Sequence, residues 1–213
     1  RLINIGVPMG LQYSITAIGS VILQISVNNL GTVAVAAVTA ASKLSMVFAC
    51  VFDALATTMA TFAGQNVGAK KLDRINQGLR SAGLVGIVYC LLAFLTMWLA
   101  GKQLISLFVS AGDTEVIEKA YRFLLINGAF YIPLLFVNIV RLSIQGMGFT
   151  QMAVLAGVFE MIARTLVAVF LVPNFGFTAA AFASPVAWIF ADAFLFPCYF
   201  SAMKKMRLRL KVE

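Results

Sequence analysis

Histidine is absent from this sequence, and acidic residues are scarce, with 8 Asp and Glu against 16 Lys and Arg among 213 residues. The missing imidazole removes most zinc, di-iron and serine–histidine chemistry. Cys50, Cys90 and Cys198 lie inside apolar segments without paired spacing, which favours packing over a disulfide or metal site. A phosphate-binding loop of the form Gly-x-x-x-x-Gly-Lys-Ser/Thr is also missing. We therefore expect neither an enzyme nor a bound cofactor or metal.

Charge of either sign is rare, and apolar residues dominate. Hydrophobic residues make up 62% of the chain and charged residues 11%, whereas a soluble domain carries about 25% charged residues. Six apolar segments, each near or above the ~20 residues that span a bilayer as helix, cover 5–28, 34–63, 79–100, 119–145, 152–172 and 178–201. We predict an all-α polytopic membrane protein whose six transmembrane helices form one bundle, a single membrane domain over 1–213.

The two ends of the chain bear on its extent and orientation. The sequence begins at Arg1 rather than Met and opens without a signal-peptide pattern, so we expect a fragment with further sequence upstream. Basic residues cluster between Lys70 and Arg80 and again after Met203, which predicts that both places and both termini are cytoplasmic. The basic residues on the predicted cytoplasmic side thus account for the net charge of +8. We expect a bacterial plasma membrane, contact with anionic lipid and no nucleic-acid binding.

Polar residues recur at helical spacing inside three of the apolar segments, where each must face protein or water. The stripe of the second segment begins at Asp53 and Thr57. In the fourth segment Pro133 predicts a kink. The first and fourth segments carry the longest stripes, formed by Gln12, Thr16, Ser20, Gln24 and Asn28, and by Asn127, Tyr131, Asn138 and Arg141. We interpret these stripes as the substrate pathway of a water-filled cavity; the alternative is hydrogen bonding between helices at dry interfaces.

Ionisable residues within the spans are the rarest and the most costly. Glu160 and Arg164 are four residues apart with the acid first, the favourable order for an ion pair, and we interpret the pair as mainly structural. Asp53 has no base three or four residues away on its own helix and is predicted near the bilayer midplane. It is the main candidate for ion coupling, and Asp192 and Glu160 are the other candidates.

Several motifs resemble those of the multidrug and toxic compound extrusion (MATE) transporters, over nearly the whole chain. They are Gly64-Gln65-Asn66-Val67-Gly68-Ala69 followed by Arg74, Gly6-Val7-Pro8-Met9-Gly10-Leu11-Gln12 at the start, Arg141-x-x-x-Gln145-Gly146-x-Gly148, and Pro185-x-Ala187-Trp188. The resemblance implies the C-terminal six-helix half of a two-bundle antiporter, partnered by an N-terminal half of the same protein. It also implies export of cationic or amphipathic small molecules in exchange for H⁺ or Na⁺ by alternating access.

The chain departs from part of that pattern. Some family members place an acid in the first helix of this bundle, whereas the stripe from Gln12 to Asn28 has none. The coupling ion therefore stays open. A related flippase for lipid-linked saccharides or peptidoglycan precursors is the alternative, since Lys43, Arg141 and Arg164 offer bases for an anionic substrate. A non-transporting membrane scaffold is the third hypothesis.

Overall fold

The structure is a computed structural model that describes residues 2–110 and 112–212. Arg1 and Glu213, on which part of the orientation prediction depends, lie outside these residues. The helices are α1 (Leu2–Asn28), α2 (Thr32–Gly68), α3 (Leu72–Ile105), α4 (Thr114–Ala129), α5 (Tyr131–Gly146), α6 (Thr150–Leu166) and α7 (Val172–Val212), with a π-helical turn at Val167–Leu171. The predicted all-helical fold is confirmed.

Six spans emerge once two breaks are taken into account. The stretches Gly10–Asn28, Thr32–Gly68 and Leu72–Ile105 are each long and apolar enough to cross a membrane, and α4 with α5 passes the same test as a pair bent by 52°. The stretch Thr150–Leu210 also passes, but Gly176 interrupts it with non-helical dihedrals of φ 60° and ψ −141°. Glycine tolerates this left-handed conformation, and the break divides the stretch into two helices, which brings the described residues to six spans.

The kink in the fourth span does not lie at Pro133. Helix α4 ends at Ala129 and α5 begins at Tyr131, with Phe130 between them at φ −105° and ψ 20°. Pro133 is the third residue of α5, where the backbone N–H would have no partner within the helix. Proline is therefore accommodated in the first turn, and the bend precedes it.

The two basic clusters lie at one end of the bundle. Arg207 on α7 pairs with Asp73 at the start of α3 across 2.6 Å, and the Tyr199 hydroxyl donates a hydrogen bond of 2.8 Å to Asn76. Arg209 lies 5.1 Å from the ring centroid of Phe149, in the turn between α5 and α6. We call this the basic end. The structure therefore gathers at one end the basic residues from which the sequence predicts the cytoplasmic side.

Small residues allow two close helix crossings that position the polar stripes. A Cβ atom on Gly146 of α5 would collide with the backbone carbonyl of Ala60 on α2, and one on Gly64 would lie 3.4 Å from the Gly146 carbonyl. A Cβ atom on Gly19 of α1 would lie 3.2 Å from the Cα of Met161 on α6. The bundle therefore packs α2 against α5 and α1 against α6 at short range, as small residues permit in membranes.

Candidate functional site

Residues from three helices that the sequence predicts to be pathway-lining meet in one pocket. Gln12 of α1, Asp53 and Thr57 of α2, and Asn138 and Arg141 of α5 line a cavity of about 310 Å³ together with Ala56 and Leu142. The two close crossings explain why these residues meet. Helix α2 packs against α5, and α1 packs against α6. The pocket therefore brings together members of all three polar stripes, and their role in a substrate pathway stays a prediction.

The polar stripe of α2 continues from this pocket across the surface of the bundle. Asp53, Thr57, Thr61 and Gln65 are all exposed and line a second, open depression of about 620 Å³. The Thr57 hydroxyl donates to the carbonyl of Asp53 at 2.8 Å, and the Thr61 hydroxyl donates to that of Thr57 at 3.2 Å. These bonds satisfy the hydroxyls within the helix and leave the Asp53 carboxylate facing outward. Asp53 lies within a membrane span, where a carboxylate facing acyl chains is costly.

Behind the pocket, three buried charges form a triad across α5 and α6. Arg141 Nη2 donates to Glu160 Oε2 at 2.7 Å, and Arg164 Nη2 donates to Glu160 Oε1 at 2.9 Å. The predicted contact between Glu160 and Arg164 is present, and Arg141 adds a second base that spacing along one helix did not indicate. Two guanidinium groups around one carboxylate leave a net positive charge, on the side that lines the pocket through Arg141.

The triad is anchored to α1 by hydrogen bonds. Arg164 Nη1 donates to the carbonyl of Thr16 at 3.4 Å and to the Ser20 hydroxyl at 3.3 Å. One turn closer to the basic end, the Gln145 amide donates to the side-chain oxygen of Gln12. The Gln12 and Ser20 side chains and the Thr16 carbonyl therefore hold α1 against α5 and α6. Thr16 and Ser20 do not line the pocket that contains Asp53, and their place in a substrate pathway stays a prediction.

Some polar atoms next to the triad lack a protein partner. Within the described residues, Nε of Arg141, Nε of Arg164 and Oδ1 of Asp192 are buried without a hydrogen bond. Asp192 of α7 lies within electrostatic range of Arg141 and Glu160. Buried polar atoms of this kind are commonly satisfied by internal water, which needs two to four polar partners. The triad and Asp192 thus form one polar region inside the lobe.

Other predicted pathway residues pack elsewhere. The Asn127 amide donates to the carbonyls of Phe123 at 3.0 Å and Ala181 at 3.2 Å, so it joins α4 to α7. Tyr131 is buried, and its ring lies 5.3 Å from that of Phe52. Gln24 donates to Asn28 at 2.9 Å toward the far end of α1, away from the pocket. The contacts of Asn127 and Tyr131 fit the helix-packing alternative, and neither residue lines the pocket that contains Asp53.

The motif that begins at Gly64 ends in a turn between α2 and α3, and this turn is made at Lys70. Gly64 and Gly68 lie inside α2, and the positive φ of 57° falls on Lys70. Ala69 N–H donates to Gln65 O at 2.9 Å, and Lys71 N–H donates to Asn66 O at 2.8 Å, which closes the C-terminus of α2. Gly64 serves the crossing with α5, Asn66 is buried, and Arg74 follows in the first turn of α3. The left-handed conformation at this turn is therefore adopted by Lys70 and not by a glycine.

Comparison with known proteins gives concordant matches. The family model MatE matches residues 8–170. The probable multidrug resistance protein YpnP of Bacillus subtilis (strain 168) is 28% identical over 139 residues, covering 65% of this chain and 31% of that protein.

Solved structures match the fold over most of the chain. A MOP superfamily transporter from Pyrococcus furiosus, described as having a binding pocket of reverse polarity, matches with a TM-score of 0.83 and 19% identity over 91% of this chain. An outward-facing MATE multidrug resistance transporter matches equally at 0.83, and an inward-facing one at 0.76 with 18% identity over 87%. This chain spans 43% of the first two matched chains and 44% of the third.

Proposed function

The chain belongs to the MatE family, and from this premise we propose that it forms the C-terminal lobe of a secondary active exporter. The exporter moves cationic or amphipathic small molecules out of a bacterial cell in exchange for H⁺ or Na⁺, and it needs no prosthetic group. Its partner is an N-terminal six-helix lobe of the same protein. YpnP, a bacterial protein named for multidrug resistance, supports the substrate class.

The exposed polar face of α2 is the observation that carries this proposal. Asp53, Thr57, Thr61 and Gln65 lie on the outside of the lobe, where acyl chains cannot satisfy a carboxylate or an amide. Such a face requires water or another polypeptide. A second bundle opposite this face, separated from it by a water-filled cleft, meets the requirement, and the matched chains are more than twice as long as this one.

Asp53 is the proposed coupling residue of this lobe. Its carboxylate shares a pocket with the hydroxyl of Thr57 and the side-chain amides of Gln12 and Asn138. A carboxylate can take up a proton, and together with hydroxyl and amide oxygens it offers the hard ligands that suit Na⁺. A cationic substrate would compete for the same charge. Binding of ion and substrate would thus exclude each other, which is what antiport requires.

Alternating access fits a lobe that moves as one body. The triad joins α5 to α6, and the bonds from Arg164 and Gln145 add α1. With α2 packed closely on α5, the pocket walls are held in a fixed relation. Opening and closing would then occur at the cleft between lobes by rocking of one bundle against the other.

One observation favours the flippase alternative. Arg141 presents a base to the same pocket as Asp53, and the triad behind it has a net positive charge. The Pyrococcus furiosus relative is described by a binding pocket of reverse polarity and a different function. An anionic substrate would use Arg141 in place of Asp53, so the two candidates differ in the sign of charge that the pocket selects.

Transport by the purified protein, assembled with its N-terminal lobe in lipid vesicles, separates these functions. Vesicles are loaded with tetraphenylphosphonium, a lipophilic cation, and a gradient of H⁺ or of Na⁺ is imposed. We expect export of the cation with one gradient and none without it. Movement of a fluorescent anionic lipid analogue, in the absence of cation export, would support the flippase. If neither probe moves in protein that is shown to be folded, the scaffold hypothesis gains support.

A further inference from the structure

A groove between α3 and α7 opens at the basic end of the bundle, away from the pocket that contains Asp53. It encloses about 480 Å³. Its rim carries three bases, Arg80 of α3 and Lys204 and Arg207 of α7, and its remaining wall is mostly apolar. Asp73 pairs with Arg207 at the edge, so Arg80 and Lys204 remain as excess positive charge. The groove thus combines positive charge and apolar surface at the level where the spans leave the membrane.

A hydrogen bond fixes the width of the groove. The Tyr199 hydroxyl, on α7, donates to the side-chain oxygen of Asn76 on α3 at 2.8 Å. Tyr199 is buried, so this bond lies at the base of the groove and ties the two helices together. The groove is therefore a built feature of the helix pair instead of a gap between mobile side chains.

The floor of the groove leads into an exposed apolar surface. Phe196 and Phe200 of α7 line the groove with 37% and 67% of their surface exposed. On α3 the exposed residues Leu84, Val88, Leu91 and Leu95 continue away from Arg80 toward the opposite end. At 1.5 Å per residue, Phe196 lies roughly 12 Å deeper than Lys204 and Leu84 roughly 6 Å deeper than Arg80. Charge at the rim and apolar surface below it match the two parts of a membrane lipid.

We propose that this groove binds an anionic phospholipid, with the headgroup phosphate at Arg80 and Lys204 and an acyl chain along Phe196, Phe200 and Leu84. Basic pockets between transmembrane helices bind anionic headgroups in this way. A free phosphate would use the rim alone and leave the apolar floor exposed. A zwitterionic lipid would fill the floor but bring no net negative charge to the rim.

The chain provides a matched control for this proposal. Lys205 and Arg209 lie at the same end of α7 but line a separate depression beside Phe149 and Gln151. The double substitutions Arg80→Gln with Lys204→Gln, and Lys205→Gln with Arg209→Gln, each remove two positive charges from the same end of the protein. A nonspecific attraction to an anionic surface would respond equally to both pairs. A site in the groove responds to the first pair.

The test measures lipids retained by the purified protein. The wild-type protein and both double variants are reconstituted in vesicles of equal parts phosphatidylglycerol and phosphatidylcholine, extracted in mild detergent and examined by native mass spectrometry. We expect the wild type to retain phosphatidylglycerol in preference to phosphatidylcholine. Retention should fall by about tenfold or more in the Arg80 and Lys204 variant and by about threefold or less in the control. Glycerol phosphate, which has the headgroup charge without acyl chains, should not displace the retained lipid.

Four results would overturn the proposal. Equal losses in the two double variants would mean nonspecific attraction, and displacement by glycerol phosphate would mean an anion site without a lipid. If Phe200→Cys in the wild-type background crosslinks to another segment of the protein and no lipid is retained, the groove is an interface between polypeptide segments. Phe200→Ala keeps the basic rim, so it tests the acyl contact separately: wild-type retention in this variant would also count against the site.

Discussion

The guanidinium of Arg141 on α5 bonds to the carboxylate of Glu160 on α6 at 2.7 Å, and both side chains are almost completely buried. Arg164 occupies the second carboxylate oxygen at 2.9 Å, so one acid serves two bases within the membrane-spanning region. Removing one partner of such a cluster leaves a buried charge uncompensated, which costs more than the intact cluster contributes. Glu160 is therefore the central member of the cluster.

Glu160→Gln is expected to reduce folded yield. The amide leaves Arg141 and Arg164 without a counterion, and breaking a buried pair typically costs about 3–5 kcal/mol. Thermal unfolding followed by tryptophan fluorescence, together with the size-exclusion profile, measures the effect. Glu115→Gln is the matched control, because Glu115 pairs with Lys119 at 2.9 Å but is 68% exposed and should change little. A Glu160→Gln protein that folds normally but does not transport would make Glu160 the coupling residue.

Gly146→Ala should destabilise the lobe through the crossing of α2 and α5. The added methyl group meets the backbone carbonyl of Ala60, which cannot move aside as a flexible side chain would. Overpacking of this kind costs about 1–3 kcal/mol. Gly68→Ala is the control, since a methyl group at this helical position meets no atom within 4 Å. Equal melting temperatures for the two variants would show that the helices separate there without cost.

Accessibility to water should distinguish two asparagines of the same bent span. Asn138 lines the pocket beside Asp53, whereas Asn127 is 4% exposed and bonded to Ala181. In a background without Cys50, Cys90 and Cys198, we expect Asn138→Cys to react with a water-soluble methanethiosulfonate reagent in membranes. Asn127→Cys should react far more slowly. Comparable protection at both positions would favour dry helix packing and the scaffold hypothesis.

The sequence predicts the helices of this fold better than their contacts. In lipid, a long apolar segment can pair all of its backbone N–H and C=O groups within itself only as a helix. Six spans therefore follow from hydropathy. Spacing along one helix also indicates the contact between Glu160 and Arg164. It does not indicate Arg141 as the second base, because that pairing depends on how α5 lies against α6.

The same limit applies to the polar stripes. Asn127 and Asn138 belong to one stripe in the sequence, yet the bend at Phe130 separates α4 from α5 and gives the two residues different neighbours. Hydropathy shows that a polar residue needs a partner but not which one. The direction of the Asp53 side chain is likewise a tertiary property, since it depends on the face of α2 that α5 leaves uncovered.

Reporters of membrane sidedness should place the two basic clusters together. Arg207 pairs with Asp73, so a fusion at Asp73 and one at the C-terminus must report the same side, and the basic residues predict the cytoplasm. A fusion at Asp113, in the connection between α3 and α4, should report the outside. An external C-terminus would contradict the six-span topology.

Asp53→Asn tests the central claim most directly, in the protein assembled with its other half and assayed for gradient-driven cation export from vesicles. Asparagine keeps the shape of the side chain and removes the charge that ion and substrate would share. We predict that export is abolished while expression and thermal stability stay near those of the wild type. Asp113→Asn, which removes an exposed acid from a connection outside the spans, should export normally. Wild-type export by Asp53→Asn would contradict the assignment of Asp53 as the coupling residue.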